Sequence, residues 1–311
     1  MTAHGIHTID TGFQRPRFDA AYLVVENGRG AFIDCGTNHS VPALLHALAD
    51  AGLEPASVDW LILTHVHLDH AGGAGELMSR LPNARLVVHP RGARHMIDPS
   101  QLIAGATAVY GEAEIRRSYG TIRAVPAERV VEARDGHVVD LAGRALVCIE
   151  TPGHARHHNA VRDERSRSFF TGDTFGLSYR EFDTANGAFI VPTTSPVQFE
   201  PDALHASIER LLAHDPQAMY LTHYGRVEDV SRLAADLHEQ IDAMVAIARS
   251  HAGDADRHEA IKIDLGSLYF ERAQRHGCAM DRARFYDVLG MDIELNAQGL
   301  GVWLDRVRGR T

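Results

Sequence analysis

The chain has 311 residues, 45% of them apolar and 23% charged, with a net charge of −10 when its histidines are neutral. This composition excludes a disordered chain, and the interspersed acidic excess excludes a polyanion-binding surface, so nucleic acid is not an expected partner. No segment approaches the roughly 18 consecutive apolar residues of a membrane span. The N-terminus has no basic region followed by an apolar run, so a cytoplasmic protein without membrane contact is expected. Three separated cysteines, Cys35, Cys148 and Cys278, suggest neither a disulfide framework nor a zinc ribbon.

In chain order, short β-branched runs at 21–25, 31–34, 60–63 and 86–89 read as strands. Between them, Ser40 to Ala51 reads as a helix, with Ser40 placed to cap it, Leu44, Leu45 and Leu48 at helical spacing, and Gly52 closing it. From Arg91 to about Arg129 the rhythm changes to helix-like runs around Gln101 to Tyr119, expected as a helical cap inserted in the domain. Strand-like runs resume at 146–149, 168–171 and 218–221. From Val230 onward the pattern is helical: Val230, Leu233, Leu237, Ile241, Met244 and Ala248 form one stripe, and Ile261, Leu265, Leu268 and Tyr269 another. Strands mixed with helices imply a layered α/β core. The expected organisation is a catalytic domain over 1–228, with its insert at about 91–129, and a helical extension over 229–311.

The chemistry concentrates in Thr64-His65-Val66-His67-Leu68-Asp69-His70. His65 and His67 follow the apolar run Trp60 to Leu63, so they emerge from a strand end into a loop where a ligand is reachable. A lone histidine there would read as a polar loop residue. Three histidines and an aspartate within six positions read as a metal site, because imidazole and carboxylate together suit Zn²⁺ and also accept Fe or Mn.

The run T-H-x-H-x-D-H, followed by Ala71-Gly72-Gly73, resembles the signature of metallo-β-lactamase-fold hydrolases. Further segments extend the resemblance in order: Phe32-Ile33-Asp34-Cys35-Gly36, Thr151-Pro152-Gly153-His154, Thr171-Gly172-Asp173-Thr174 and Leu221-Thr222-His223-Tyr224-Gly225. It covers about residues 20 to 225. It implies an αββα sandwich of two mixed sheets with helices outside. It also implies two divalent metal ions: His65, His67 and His154 on the first, Asp69, His70 and His223 on the second, and Asp173 bridging. Two cations about 3.5–4 Å apart share a water, lower its pKa and present hydroxide to an electrophile. Asp69 is implied as the catalytic group that orients this hydroxide and returns its proton to the leaving group. Asp34, His158 and Tyr224 are expected to support the ligands.

The implied reaction is hydrolysis of an ester-type carbonyl, a lactone or thioester before a β-lactam. The motif set is shared with lactonases and glyoxalase II-type thioesterases. Three alternatives stay open: a mononuclear iron enzyme resembling persulfide dioxygenases, a phosphodiesterase, and a non-enzymatic metal-binding sensor. The expected partner is a small-molecule substrate, with a homodimer possible through the C-terminal helices. Among the remaining candidates, His157 is expected to support a loop, His89 and His95 to lie at the surface, and Cys35 to pack. Tyr110, Tyr119 and Tyr179 are weighed as oxyanion donors against a packing role.

Overall fold

The computed structural model describes residues 3–194 and 198–309. Its chain divides into two compact units. The first comprises residues 1–150, 157–172 and 216–226 and carries the sheets; the second comprises 151–156, 173–215 and 227–311 and is helical.

The sheet unit opens with β1 (Ile6–Asp10), β2 (Ala20–Glu26) and β3 (Arg29–Ile33), followed by α1 (Val41–Asp50), β4 (Val58–Ile62), α2 (Leu68–Ala71), α3 (Ala74–Arg80) and β5 (Arg85–Val88). The expected insert is three helices, α4 (Pro90–Ile97), α5 (Ser100–Tyr110) and α6 (Glu112–Tyr119), ahead of β6 (Val130–Glu132). The rest are β7 (Val138–Leu141), β8 (Arg144–Glu150), β9 (Asn159–Asp163), β10 (Ser168–Gly172), β11 (Ala218–Leu221) and β12 (Gly225–Val227). They form two six-stranded sheets, ordered β1-β2-β3-β4-β5-β6 and β12-β11-β10-β9-β8-β7. Both are mixed. The first runs antiparallel through β3 and parallel from β3 to β6, while the second is antiparallel from β7 to β10 and parallel between β10 and β11. This is the α/β, two-sheet architecture that the resemblance implied.

Strand periodicity divides the apolar residues between two cores. On β2, β3 and β5, Tyr22, Val24, Ala31, Ile33 and Val87 meet Val139, Leu146, Val161, Phe170 and Tyr220 of the facing sheet. Their sequence neighbours Leu23, Phe32, Leu86 and Val88 face outward, against Leu44 and Leu48 of α1, Leu77 of α3 and Met96 of α4. Strands covered on both faces read as nearly continuous apolar runs. One ion pair is buried with them: Arg144 Nε donates to Asp163 Oδ1 at 2.9 Å, and Ser166 donates to the same carboxylate. Ser40 departs from its expected role. It occupies the N-cap position of α1 without a side-chain cap bond, and its hydroxyl accepts from Thr37 N at 3.2 Å instead.

In the helical unit, α7 (Pro201–Leu212) is followed by α8 (Val230–Ser250), α9 (Arg257–Arg275) and α10 (Arg282–Arg308). All six residues of the first predicted stripe are buried on α8, whereas on α9 Ile261, Leu265 and Tyr269 are buried and Leu268 is half-buried. Asp281 caps α10 by accepting from Arg284 N at 2.8 Å. Asn296 pins α10 to the loop before α7, with its amide 3.0 Å from Pro192 O and its carbonyl accepting from Thr194 N at 2.7 Å. Among the described residues no helix is long and apolar enough to cross a membrane.

Candidate metal centre

The strand ends deliver the polar residues. β3 ends at Ile33, and Asp34 follows with a left-handed backbone (φ 55°) while its N–H donates to Ile62 O at 2.9 Å, tying it to the end of β4. The Asp34 carboxylate is buried and receives four donors: Thr64 N at 2.8 Å, Thr64 Oγ1 at 2.8 Å, His70 Nδ1 at 3.0 Å and Thr222 Oγ1 at 3.2 Å. It therefore clamps the ends of β4 and β11 to the short helix α2.

Beyond β4, His65 Nε2 and His67 Nδ1 lie 2.8 Å apart with their rings nearly perpendicular. The Thr64 hydroxyl is donated to Asp34, so at 3.2 Å it accepts from His65 Nδ1–H and leaves His65 Nε2 with its lone pair. The turn of α2 carries Asp69 and His70. His70 is anchored to Asp34 through Nδ1, and its Nε2 is 3.7 Å from Asp69 Oδ2. His223 follows β11. Its Nδ1 donates to Phe18 O at 3.0 Å, the Phe18 ring meets it edge-on at 5.4 Å, and its Nε2 is 3.5 Å from Asp69 Oδ2. One ligand atom each from Asp69, His70 and His223 lies within 4.8 Å of the others. Asp69 is the more open member, with a quarter of its side chain exposed (25%).

In the helical unit, His154 and Asp173 form their own pair, with His154 Nε2 3.4 Å from Asp173 Oδ2. The Thr193 hydroxyl donates to Asp173 O at 3.3 Å, so it accepts from His154 Nδ1–H at 3.0 Å. The turn before His154 needs glycine: Gly153 has φ 132°, and a Cβ there would lie 2.4 Å from the backbone of Leu204.

A common rule emerges. His65, His70, His154 and His223 each have Nδ1 tied to a protein acceptor, which fixes the ring and turns Nε2 away from that bond, and three of them stand with Nε2 beside a carboxylate. Such outer hydrogen bonds orient metal-binding histidines. The donor set fits a borderline divalent cation.

Other expected residues fall in different places. His158 is buried and stacks on His65 at 4.9 Å. Next to it, His157 is also buried, 5.6 Å from the His67 ring, and burial followed by the charges of His67, His95 and His89 pushes its pKa down to about 3. Tyr224 is half-buried and packs against the core between the sheets. His89 is buried, not at the surface: its Nδ1 accepts from Arg91 N at 3.0 Å at the start of α4, and its Nε2 meets Glu150 at 3.1 Å. Tyr179 donates to Asp292 at 3.2 Å, and Tyr119 packs on Phe13. The side chain of Tyr110 lies outside the described residues. Cys35 packs as expected, and burial pushes its thiol pKa well up.

Sequence reasoning missed Thr64, Thr193 and Thr222, whose hydroxyls reach His65, His154 and the Asp34 carboxylate, respectively. It also missed Asp19, a wholly buried acid whose pKa burial raises to about 7 against the opposing pull of His223 and His70. Nothing in the spacing marks these residues, since each is a single polar position beside an apolar strand.

Residues 15–224 match the family model of the metallo-beta-lactamase superfamily. A metallo-beta-lactamase fold-containing protein of Sulfurisphaera tokodaii is 28% identical over 232 residues, 73% of this chain and 81% of that protein. A hydroxyacylglutathione hydrolase of Acidiphilium cryptum is 28% identical over 237 residues, 76% of this chain and 75% of its own. Among solved structures, a metallo-beta-lactamase family protein of Thermus thermophilus aligns over 98% of this chain and 94% of its own, with a TM-score of 0.69 and 21% identity. That last likeness is one of fold.

Proposed function

The chain belongs to the metallo-beta-lactamase superfamily, and from that premise we propose that it is a dinuclear metal-dependent hydrolase of an ester-type carbonyl, with a thioester or lactone as substrate. The observation that carries this reading is a set of four imidazoles anchored at Nδ1, three of them with Nε2 beside a carboxylate. By motif position, His65, His67 and His154 are assigned to a first cation and Asp69, His70 and His223 to a second, with Asp173 shared. In this reading residues 1–228, with the insert at 91–129, form the catalytic domain and residues 229–311 its helical extension.

Two divalent cations, zinc in this reading with iron or manganese acceptable to the same donors, would supply a water of lowered pKa and polarise the attacked carbonyl. In this reading Asp69 handles the proton, which its partial exposure and its proximity to His70 and His223 support. Its carboxylate orients the water, takes its proton and returns it to the leaving oxygen or sulfur, a role worth about 10²–10⁴-fold in rate. Asp34 and Thr193 hold His70 and His154 in the required tautomer. The relatives named hydroxyacylglutathione hydrolase favour a thioester, although fold membership alone does not choose a substrate.

The test is zinc-reconstituted protein assayed on hydroxyacyl thioesters, lactones and a phosphodiester. The reading predicts turnover on the carbonyl substrates, lost by about 10²-fold or more in Asp69→Ala. Full activity in Asp69→Ala would refute the role of Asp69, and stoichiometric oxygen uptake on a persulfide by iron-loaded protein would refute hydrolysis.

A further inference from the structure

Asp19 stands in the loop joining β1 to β2, and its side chain is wholly buried. Thr11 meets it from the end of β1: the hydroxyl donates to Asp19 Oδ2 at 2.8 Å, and the N–H donates to Asp19 O at 3.0 Å. Among the described residues no hydrogen-bond donor reaches Asp19 Oδ1, which is itself buried. The residues on either side are tied to the segment that carries His223. Phe18 O accepts from His223 Nδ1 at 3.0 Å, and Ala20 N donates to Thr222 O at 2.8 Å.

These contacts separate Asp19 from the other buried acid at this end of the sheets. Asp34 spends its carboxylate on four donors and acts as a clamp. Asp19 has one oxygen engaged by Thr11 and one left over. A buried carboxylate oxygen without a donor is costly, and folds keep such an atom where an ion or an ordered water supplies the partner. The segment bonded to both chain neighbours of Asp19 carries His223, one of the three residues assigned to the second cation. We propose that Asp19 belongs to the metal centre as the counter-charge of the cation held by Asp69, His70 and His223, tightening its binding without replacing any of those ligands.

This inference rests on the metal-binding reading above and is independent of the substrate. It is tested by zinc titration against a chromophoric chelator, which needs no turnover. Asp19→Asn keeps the shape of the side chain and removes its charge. It should weaken the second zinc equivalent by about 10–100-fold, the effect typical of outer partners of a metal site, and leave the first within about twofold. Metal-free Asp19→Asn protein should melt no lower than the wild type, because a buried charge has been removed. Thr11→Val deletes the hydroxyl but leaves the charge and should keep the second affinity near the wild-type value. Unchanged affinities in Asp19→Asn would overturn the inference alone, as would an equal loss in Thr11→Val, which would make the loop's position the cause. A wild-type chain that binds no second equivalent would overturn the two-metal reading and this inference with it.

Discussion

Asp34→Asn is the most informative single change outside the assigned ligands, because it preserves volume and alters only the pattern of donors. The native carboxylate accepts Thr64 N through Oδ1 and three donors through Oδ2: the hydroxyls of Thr64 and Thr222 and His70 Nδ1. An asparagine that still accepts Thr64 N places its NH₂ where Oδ2 was. The two hydroxyls can rotate and become acceptors, but His70 Nδ1–H cannot. It must move its proton to Nε2, the nitrogen assigned to the metal, or lose its partner. Turning the amide over instead sets NH₂ against Thr64 N–H. Either orientation disturbs the ligand, and the expected cost is about 10–100-fold in zinc affinity, or roughly 1.4–2.8 kcal/mol. Chelator competition measures the affinity, and nitrogen chemical shifts of His70 report the tautomer in the metal-free protein. Two equivalents bound with wild-type affinity, in a protein whose His70 proton has moved to Nε2, would refute the tautomer argument.

Two further predictions concern the frame that holds the centre. Burial tends to raise the pKa of Asp163, but the hydrogen bonds from Arg144 and Ser166 and the charge of Arg144 outweigh it and hold the acid below its ordinary value. The pair therefore stabilises the fold fully above about pH 4, the unfolded value, and loses that contribution as pH falls through the lower folded value. Asp163→Asn strands a buried guanidinium and should cost about 3–5 kcal/mol at pH 7. Urea unfolding should show the gap to wild type narrowing at pH 3, and a gap independent of pH would contradict this account. Gly172→Ala should destabilise as well: at φ 47° a side chain costs about 1–2 kcal/mol, and its Cβ would lie 2.5 Å from His158 Nε2 and 2.7 Å from Thr64 Oγ1. A lower melting temperature with weaker zinc retention is expected, and an unchanged melting curve would count against the tight packing described here.

What was legible in the sequence follows from how local each signal is. His65, His67, Asp69 and His70 are legible because four donors fall within six positions at the end of an apolar run, where a strand must end. Buried strands and amphipathic helices leave periodic patterns, so the strands and the stripe of α8 could be read directly. His154, Asp173 and His223 were read through family resemblance, since each is one residue in its own turn. The outer partners left no pattern. Thr193 matters because its hydroxyl happens to reach His154 Nδ1, and Asp19 because the chain folds it inward beside β2; both are tertiary facts. Adjacency in sequence does not set which way a side chain points: Tyr224, next to His223, packs against the core between the sheets. Ser40 was adjacent to its helix in the same way, yet its hydroxyl serves the preceding turn.

The central claim is a two-cation centre, and anomalous scattering at the zinc edge from crystals of zinc-loaded protein tests it most directly. The account predicts two peaks about 3.5–4 Å apart, one bounded by His65, His67 and His154 and the other by Asp69, His70 and His223, with Asp173 reaching both. A single peak, or none at these residues, would contradict it.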